Sequence, residues 1–167
     1  MSAVRIEPWA EDDLDVLQRA NSPAMTAFLG GPEPEEKILQ RHQRYLKLHP
    51  PAGQMYHVLA LPEEAKAGSV GFWERDWQDQ QVYEVGWGTL PEFQGRGIAV
   101  AATIALLDAI REVGSRRYVL AYPRSDHPAS NAVAEKAGFT LVGQSDYEYP
   151  PGNPIHCNDW RFDVRGH

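Results

Sequence analysis

The apolar positions of this chain follow two spacings along most of its length. Alternation with a period of two is typical of strands, and apolar residues three and four positions apart are typical of helices. The first spacing predicts strands over residues 4–8, 55–61, 69–77, 82–90, 117–122, 139–149 and 155–164. The second spacing predicts helices over residues 11–17, 34–49, 98–113 and 129–137.

The helix predicted over residues 98–113 is apolar on most of its sides, which is typical of a buried helix. It lies between two strands, so it predicts a parallel strand pair joined by a crossover. The strands before and after it follow one another closely and predict antiparallel pairs. The expected fold is therefore α/β (α+β), with a mixed, mostly antiparallel central sheet and helices on both faces.

The 167 residues suit one domain over residues 1–167. Hydrophobic residues make up 43% and charged residues 23%, which excludes a disordered chain and predicts one substantial core. The formal net charge of -7 disfavours a protein that follows the phosphate backbone of a nucleic acid. It suits a partner that bears an amine.

Cys157 is the single cysteine, so the chain has no intramolecular disulfide and no cysteine-rich metal site. A single cysteine favours a reducing, cytoplasmic setting. The N-terminal residues lack the apolar run of a signal peptide, and no stretch reaches the ~18 consecutive apolar residues of a membrane span. We therefore expect a cytoplasmic protein without a bound metal or a membrane partner.

The turn at residues 90–99 is the segment most informative about function, because it joins a strand to the buried helix. Gly95 and Gly97 let the backbone bend sharply and let a ligand approach closely. The first turn of a helix has N–H groups without an internal partner, and the helix dipole is positive there. The strand, the glycine turn and the helix together predict a site for a phosphate or a diphosphate.

Three kinds of phosphate site compete for this turn. A Walker loop needs Gly-Lys-Ser/Thr after the glycines, and Ile98 and Ala99 stand there instead. A dinucleotide fingerprint needs a third Gly or Ala where Val100 stands, and it follows the first strand of a βαβ unit. The third interpretation is a site for the diphosphate of an acyl-CoA.

Two motifs resemble one protein family, the GNAT superfamily of acyl-CoA-dependent N-acetyltransferases. The first is Gln94-Gly95-Arg96-Gly97-Ile98-Ala99, which resembles the family signature Q/R-x-x-G-x-G/A. The second runs from Ser130 to Phe139 and is similar to the short helix that ends in E-K-x-G-F. The resemblance covers the whole chain in element order and is specific over residues 82–139. The strand Glu84-Val85-Gly86-Trp87 resembles the Rim-like branch, which acetylates protein N-termini and small amines.

The resemblance implies where the co-substrate acetyl-CoA binds. It implies that the strand ending at Leu90 carries a bulge and diverges from the strand at residues 117–122, and that the pantetheine arm pairs with the main chain in that cleft. It implies that Ser130 and Asn131 hydrogen-bond the same arm, although Ser130 also suits the N-cap of the short helix. The residues implied in CoA binding are Thr89, Leu90, Gln94, Gly95, Arg96, Gly97, Ile98, Ala99, Ser130 and Asn131.

The resemblance also implies the reaction, which is transfer of an acetyl group to a primary amine by direct attack in a ternary complex. The amine belongs to a small molecule or to a protein N-terminus, and the Leu90 N–H is the implied donor to the oxyanion. A homodimer is common in this family. Two positions depart from the family pattern. His127 stands where an Asn is frequent, and Ala134 stands where a Tyr often protonates the leaving thiolate, so the general acid is unassigned.

Glu84 is the leading candidate for the base that deprotonates the amine, because it lies on the strand that approaches the glycine turn. Burial among apolar neighbours would raise its pKa. The alternative is that Glu84 pairs with an arginine or accepts hydrogen bonds from backbone amides. Glu74, on the neighbouring strand, is a weaker candidate for the base.

Aromatic residues near the central strands predict an acceptor pocket, in which indoles attract an ammonium group. Trp73, Trp87 and Tyr147 are the candidates for its walls, and packing within the core is the alternative for each. Tyr147 and Tyr149 are also candidates for the missing acid. Because Ala134 replaces the tyrosine that often acts as the acid, a function of another class stays open. This alternative is a catalytically silent acyl-CoA-binding or sensor module.

Overall fold

The computed structural model describes residues 3–148 and 151–166. The strands are β1 (Val4–Pro8), β2 (Gly53–Ala60), β3 (Ala65–Trp77), β4 (Gln80–Thr89), β5 (Tyr118–Ala121), β6 (Thr140–Glu148) and β7 (Pro154–Asp163). The helices are α1 (Leu14–Ala20), α2 (Glu35–Lys47), α3 (Ile98–Val113) and α4 (Pro128–Lys136). Short 3-10 turns at Glu11–Asp13 and Pro91–Phe93 precede α1 and α3. The order of strands and helices agrees with the sequence prediction.

The strands form one seven-stranded sheet in the order β1-β2-β3-β4-β5-β7-β6. Every neighbouring pair is antiparallel except β4 and β5, which are parallel and are joined through α3. The predicted mixed, mostly antiparallel sheet is therefore confirmed. β4 and β5 pair only at Tyr83–Val119 and Glu84–Leu120, and beyond these residues the two strands diverge.

The cause of this divergence differs from the predicted bulge at the end of β4. The pairing of β3 with β4 runs in continuous register from Gly68–Thr89 to Trp77–Gln80, so the predicted bulge is wrong. β5 instead ends after four residues, and the chain that follows stays with β7. The Asn158 N–H donates to the Pro123 carbonyl at 2.9 Å, and the Ser125 N–H donates to the His156 carbonyl at 2.9 Å.

Two separate cores lie on opposite faces of the sheet. The larger core packs α3 and α4 on one face, and Leu106 and Ile110 of α3 are fully buried in it. Each such side chain contributes about 2 kcal/mol through removal of apolar surface from water. The smaller core packs α1 and α2 on the other face around Ile38 and Met55. The strongly apolar helix of the sequence is therefore the buried crossover helix, and it ends as predicted at Gly114, with a φ of 72°.

A buried carboxylate attaches the turn before α1 to the sheet. Asp13 is fully buried, and its Oδ2 accepts hydrogen bonds from the Ala10 N–H at 2.8 Å and from His57 Nδ1 at 2.7 Å. The Lys66 ammonium lies 2.9 Å from Asp13 Oδ1. Burial alone would raise the pKa of this carboxyl, but the hydrogen bonds from Lys66, Ala10 and His57 hold the pKa below its ordinary value.

Replacement of Asp13 by Asn is expected to lower the free energy of unfolding at neutral pH by about 2 kcal/mol, because Lys66 and His57 lose their charged partner. A lowered pKa means that the carboxylate stabilises the fold above the pKa of the unfolded chain and loses this effect as the pH falls through the folded pKa. The difference in the free energy of unfolding between wild type and variant therefore becomes smaller at acidic pH. Urea unfolding at neutral and acidic pH measures this difference. Asp12→Asn, at an exposed neighbour, is the matched control, and equal losses in both variants would contradict the expectation.

Candidate active site

The divergence of β4 from β5 opens a cleft that is walled by main-chain groups. Successive residues of a strand direct their N–H and C=O groups to opposite sides. The Leu90 N–H donates to the Ala67 carbonyl of β3 at 2.8 Å. Trp87 and Thr89 therefore direct their N–H and C=O groups away from β3 and into the cleft. An extended chain with amide groups, such as pantetheine, fits this edge as an added strand.

The hydrogen bond between Leu90 and Ala67 contradicts one prediction. The Leu90 N–H, expected to stabilise an oxyanion and to pair with pantetheine, is committed to β3 at 2.8 Å and is not directed into the cleft. Because main-chain groups alternate in direction along β4, the N–H groups that face the cleft are those of Trp87 and Thr89. The Thr89 carbonyl also accepts a hydrogen bond from Gln94 Nε2 at 3.0 Å, which links the strand to the glycine turn.

The glycine turn leads directly into α3. Gly95 and Gly97 have φ angles of 78° and 75°, a left-handed region that favours glycine. Gly97 is the N-cap of α3 and no side chain caps the helix, whose first intrahelical hydrogen bond runs from the Ala101 N–H to the Gly97 carbonyl at 3.1 Å. The amides of Ile98, Ala99 and Val100 precede that bond and point out of the helix end, an arrangement suited to a diphosphate.

The two side chains that flank the glycines take different positions. Gln94 hydrogen-bonds the Thr89 carbonyl, and its Nε2 also lies 3.5 Å from Met25 Sδ in the segment between α1 and α2. Arg96 is exposed, and its guanidinium carbon lies 5.4 Å from the centre of the Phe93 ring. Arg96 is therefore free to reach a phosphate at the surface of the turn.

The start of α4 contradicts one prediction for each of Ser130 and Asn131. His127 is the N-cap, because its side chain faces the Ser130 N–H, so Ser130 is not the cap. The Asn131 amide donates to the carbonyls of Arg124 and His127 at 2.9 Å, and its Oδ1 accepts from Asn158 Nδ2 and Trp160 Nε1 at 2.8 Å. Its side chain thus holds α4 to β7, which contradicts its predicted hydrogen bond to the CoA arm.

His127, which stands where the family often has Asn, is half-buried. Its ring stacks on Phe28 with centroids 4.1 Å apart and an interplanar angle of 18°. Burial lowers the pKa of His127, so the ring is neutral at pH 7. The stack joins the segment between α1 and α2 to the start of α4.

A cavity of about 540 Å³ lies between the sheet and the pair α1 and α2. A cavity of this volume accommodates a small molecule or the first residues of a peptide. Glu84, Trp73, Trp87 and Tyr147 all line it, so the structure brings the predicted base and the predicted aromatic residues together.

Glu84 forms part of the floor of this cavity. Its Oε1 lies 2.9 Å from Arg75 Nη1, so the predicted alternative of a pair with an arginine is also correct. Trp73 is its cross-strand neighbour, and the Trp73 ring lies so close to Gly86 that a Cβ atom there would be only 3.0 Å from it. Burial raises the pKa of the Glu84 carboxyl, although Arg75 and Trp73 favour its ionised form. Glu74 is exposed, and its carboxylate lies 2.6 Å from Arg116 Nη2, away from the lining of the cavity.

Two tyrosines stand on the side of the cavity near β5 and β6. The rings of Tyr122 and Tyr147 meet edge to face with centroids 5.3 Å apart. The Arg75 guanidinium carbon lies 4.8 Å from the Tyr122 ring centre and 5.1 Å from that of Tyr147. Burial raises the pKa of both phenols, so both are protonated at neutral pH. Ala134 is fully buried in the core on the other face of the sheet, and Tyr149 lies outside the described residues.

Trp87 contacts the cavity in a different way from Trp73. Its indole packs against Phe139 with centroids 6.5 Å apart, in the core beneath α3 and α4. Successive side chains of a strand point to opposite faces of the sheet. The Trp87 side chain therefore lies on the face opposite to that of Glu84. Of the two predicted indoles, that of Trp73 therefore lies on the face of the sheet that borders the cavity.

Sequence reasoning missed Arg75 and Tyr122 as residues of this site. The thiol of Cys157 also lines the cavity, and burial raises its pKa to about 11. A protonated thiol is a weak nucleophile. His156, the neighbour of Cys157 in sequence, hydrogen-bonds Asp146 at 2.6 Å on the other face of the strand, as expected from strand alternation.

A helix end suited to a diphosphate, a cleft suited to pantetheine and an adjoining cavity with a carboxylate define an acyl-CoA-dependent transferase. The family model described as the acetyltransferase (GNAT) domain matches residues 3–140. The chain belongs to the GNAT acetyltransferase family. No curated protein sequence matches it significantly.

Solved structures with the same fold include an acetyltransferase of the GNAT family from Bacillus anthracis, with a TM-score of 0.79, 17% identity and coverage of 99% of this chain and 98% of that chain. A second is the acetyltransferase from Salmonella typhimurium that modifies the N-terminal serine of ribosomal protein L7/L12, with a TM-score of 0.79, 24% identity and coverage of 98% and 96%. A third is spermidine N-acetyltransferase from Vibrio cholerae in complex with CoA and spermine, with a TM-score of 0.78, 16% identity and coverage of 97% and 96%. The expected GNAT fold and the membership of the GNAT family are confirmed.

Within residues 3–148 and 151–166, no helix is both long and apolar enough to cross a membrane. In the same part of the chain, no three His, Cys, Asp or Glu side chains are grouped as ligands for a metal ion.

Replacement of Gly97 by Glu is expected to weaken acetyl-CoA binding by about 100-fold, because it places a negative charge and a strained residue at the helix end that faces the diphosphate. Calorimetric titration with acetyl-CoA measures the effect. Gly114→Glu is the matched control, since Gly114 has a φ of 72° at the opposite end of the same helix. Unchanged affinity in Gly97→Glu, with the fold intact by circular dichroism, would contradict the assignment of the site.

Proposed function

We propose that this acetyltransferase moves the acetyl group of acetyl-CoA to a primary amine that is held in the cavity between the sheet and α1 and α2. The amine attacks directly while both substrates are bound. The observation that supports this most is the position of Glu84. It lies in the last residue pair before β4 and β5 diverge, and it also forms the floor of the cavity, so the donor cleft and the acceptor cavity meet at one carboxylate.

The donor side of the proposal rests on main-chain groups. The free amides of Ile98, Ala99 and Val100 would bind the diphosphate, and Trp87 and Thr89 would offer main-chain groups to the pantetheine amides. Arg96 and Ser130 stay predicted contacts of CoA. Acetyl-CoA supplies an acyl group activated as a thioester, and a main-chain N–H of β4 that faces the cleft would stabilise negative charge on its carbonyl oxygen.

The acceptor side needs a group that removes a proton, because a primary amine is mostly protonated at neutral pH. Glu84 is half-buried and its raised pKa makes it a stronger base than an exposed carboxylate, while Arg75 at 2.9 Å keeps it largely ionised. A bond forms between the amine nitrogen and the acetyl carbon, and the bond from that carbon to sulfur breaks. The proton from nitrogen passes to Glu84, directly or through water.

The thiolate that leaves needs a proton, and Ala134 cannot provide one. Tyr122 and Tyr147 both line the cavity with protonated phenols, and Tyr122 follows β5 directly at the point where the cleft opens. We therefore assign the proton donor to this pair. The role resembles the one implied for a tyrosine on α4 in the family, but here the candidate tyrosines lie after β5 and on β6.

The acceptors of the related structures support a primary amine. One relative modifies the N-terminal serine of a ribosomal protein, and another is a spermidine N-acetyltransferase. Both a small amine and a peptide N-terminus are therefore within the range of this fold. A homodimer and a cytoplasmic setting stay predictions of the sequence.

Replacement of Glu84 by Gln is expected to lower kcat/KM for an amine by about 100-fold while acetyl-CoA affinity changes little, because the base is lost and the donor site is kept. In the wild type, kcat/KM falls as the pH drops through the raised pKa of Glu84, so the acidic limb lies above the ordinary carboxyl range. The variant lacks this limb. Thiol release, followed across a pH series with saturating acetyl-CoA and amine concentrations below KM, measures both effects.

Glu74→Gln is the control, since Glu74 lies on the adjacent strand and pairs with Arg116 outside the cavity. An unaltered pH profile in Glu84→Gln would remove Glu84 as the base. The same assay also tests the rival function. Tight acetyl-CoA binding without thiol release, across an amine panel that includes a peptide N-terminus, would favour a silent acyl-CoA-binding module.

A further inference from the structure

The half-buried charged residues in the wall of the acceptor cavity are arranged in two pairs. Glu84 Oε1 lies 2.9 Å from Arg75 Nη1 on the sheet. Glu33 Oε1 lies 2.5 Å from Arg41 Nη2, where the segment before α2 meets the helix. Both half-buried carboxylates of the wall therefore already have a cation within hydrogen-bond distance.

The pair formed by Glu33 and Arg41 is held in place from both sides. Asn21, at the end of α1, donates its side-chain amide to the Glu33 carbonyl at 2.8 Å and accepts the Glu33 N–H at 2.8 Å. Arg41 lies in the middle of α2, and its side chain is 19% exposed, against 28% for that of Glu33. The pair is thus a fixed part of the wall rather than a contact between two mobile surface side chains.

A third carboxylate, Glu148, lies at the rim of the cavity and is exposed to solvent. Its Oε2 accepts a hydrogen bond from the Gly152 N–H at 2.8 Å. An exposed carboxylate attracts a cation only weakly, because water screens the interaction. Glu148 therefore adds little to the binding of a charged group deep in the cavity.

The rest of the wall is mainly apolar and aromatic. Its apolar and aromatic residues include Leu17, Leu29, Ile38, Met55, Trp73 and Tyr45. These side chains favour an acceptor with a hydrocarbon or aromatic body. They offer no further negative charge to an ammonium group.

We propose that the acceptor is a monoamine with an apolar body, and that Arg41, through its pair with Glu33, is a specificity-determining residue that excludes a second positive charge. The proposal rests on the transfer reaction described above. A second ammonium group in the cavity would meet two guanidinium groups and no unpaired half-buried carboxylate. In a site of low effective dielectric, this like-charge contact is unfavourable and discriminates against polyamines.

The test compares hexylamine with hexamethylenediamine. Both acceptors have the same six-carbon chain, and the diamine carries a second ammonium group. We expect kcat/KM for hexylamine to exceed that for the diamine by about tenfold, after correction for the two amino groups of the diamine. Calorimetric binding of both amines to the complex with CoA gives a second readout that needs no turnover. Equal or better use and binding of the diamine would overturn the proposal and leave the transfer reaction intact.

Arg41→Met releases Glu33 and is expected to shift the ratio of kcat/KM values toward the diamine by about fivefold. Arg44→Met is the matched control, because Arg44 lies one turn further along the same helix, is exposed and lines a different surface. In the double variant Glu33→Gln with Arg41→Met, the shift toward the diamine should disappear. A ratio that stays unchanged in Arg41→Met, in protein with an unaltered melting curve, would contradict the role of Arg41.

Failure of the transfer reaction gives a different pattern of results. If neither amine is acetylated but hexylamine binds more tightly than the diamine, the acetylation proposal fails and the selectivity of the cavity stands. If neither amine binds, the cavity is not an acceptor site for alkyl amines, and the inference is wrong.

Discussion

The proposed chemistry of this molecule depends on the point at which β4 and β5 stop pairing. Two parallel strands that diverge leave main-chain groups at the inner edge of β4, and buried polar groups of this kind need partners. The continuation of β5 stays hydrogen-bonded to β7 through residues 123–125, so the divergence is built into the sheet and does not require a distortion of β4. Glu84 and Tyr122 stand on the two sides of this opening, and α3 begins beyond its far end.

The parts of the fold that depend on local patterns could be predicted from the sequence. The apolar surface of α3 on most of its sides predicts its burial, and the glycine turn before it predicts an open helix end, because both properties come from residues close together in the chain. The placement of Glu84 on the strand that leads to this turn was also correct. Its pairing with an arginine was predicted as an alternative, and the structure supplies the partner, Arg75.

The parts that depend on register and on contacts between distant residues could not be predicted. Gln78 and Asp79 form a two-residue turn with positive φ angles, and this turn sets the pairing of Trp73 with Glu84. The sequence predicts strands over residues 69–77 and 82–90 with four residues between them, and this gives no register that places Arg75 beside Glu84. The stacking of His127 on Phe28 joins residues about a hundred positions apart, and no local signal indicates it. The commitment of the Leu90 N–H to β3 likewise follows only from the observed ladder.

The division of the interior into two cores has a consequence for how such proteins diversify. The core beneath α3 and α4 supports the proposed donor cleft, whereas the core beneath α1 and α2 supports the wall of the proposed acceptor cavity. A substitution at Arg41 or Leu29 changes the second wall without repacking the first core. One half of the domain is thus free to acquire new amine preferences during evolution, while the other half keeps the machinery for the thioester unchanged.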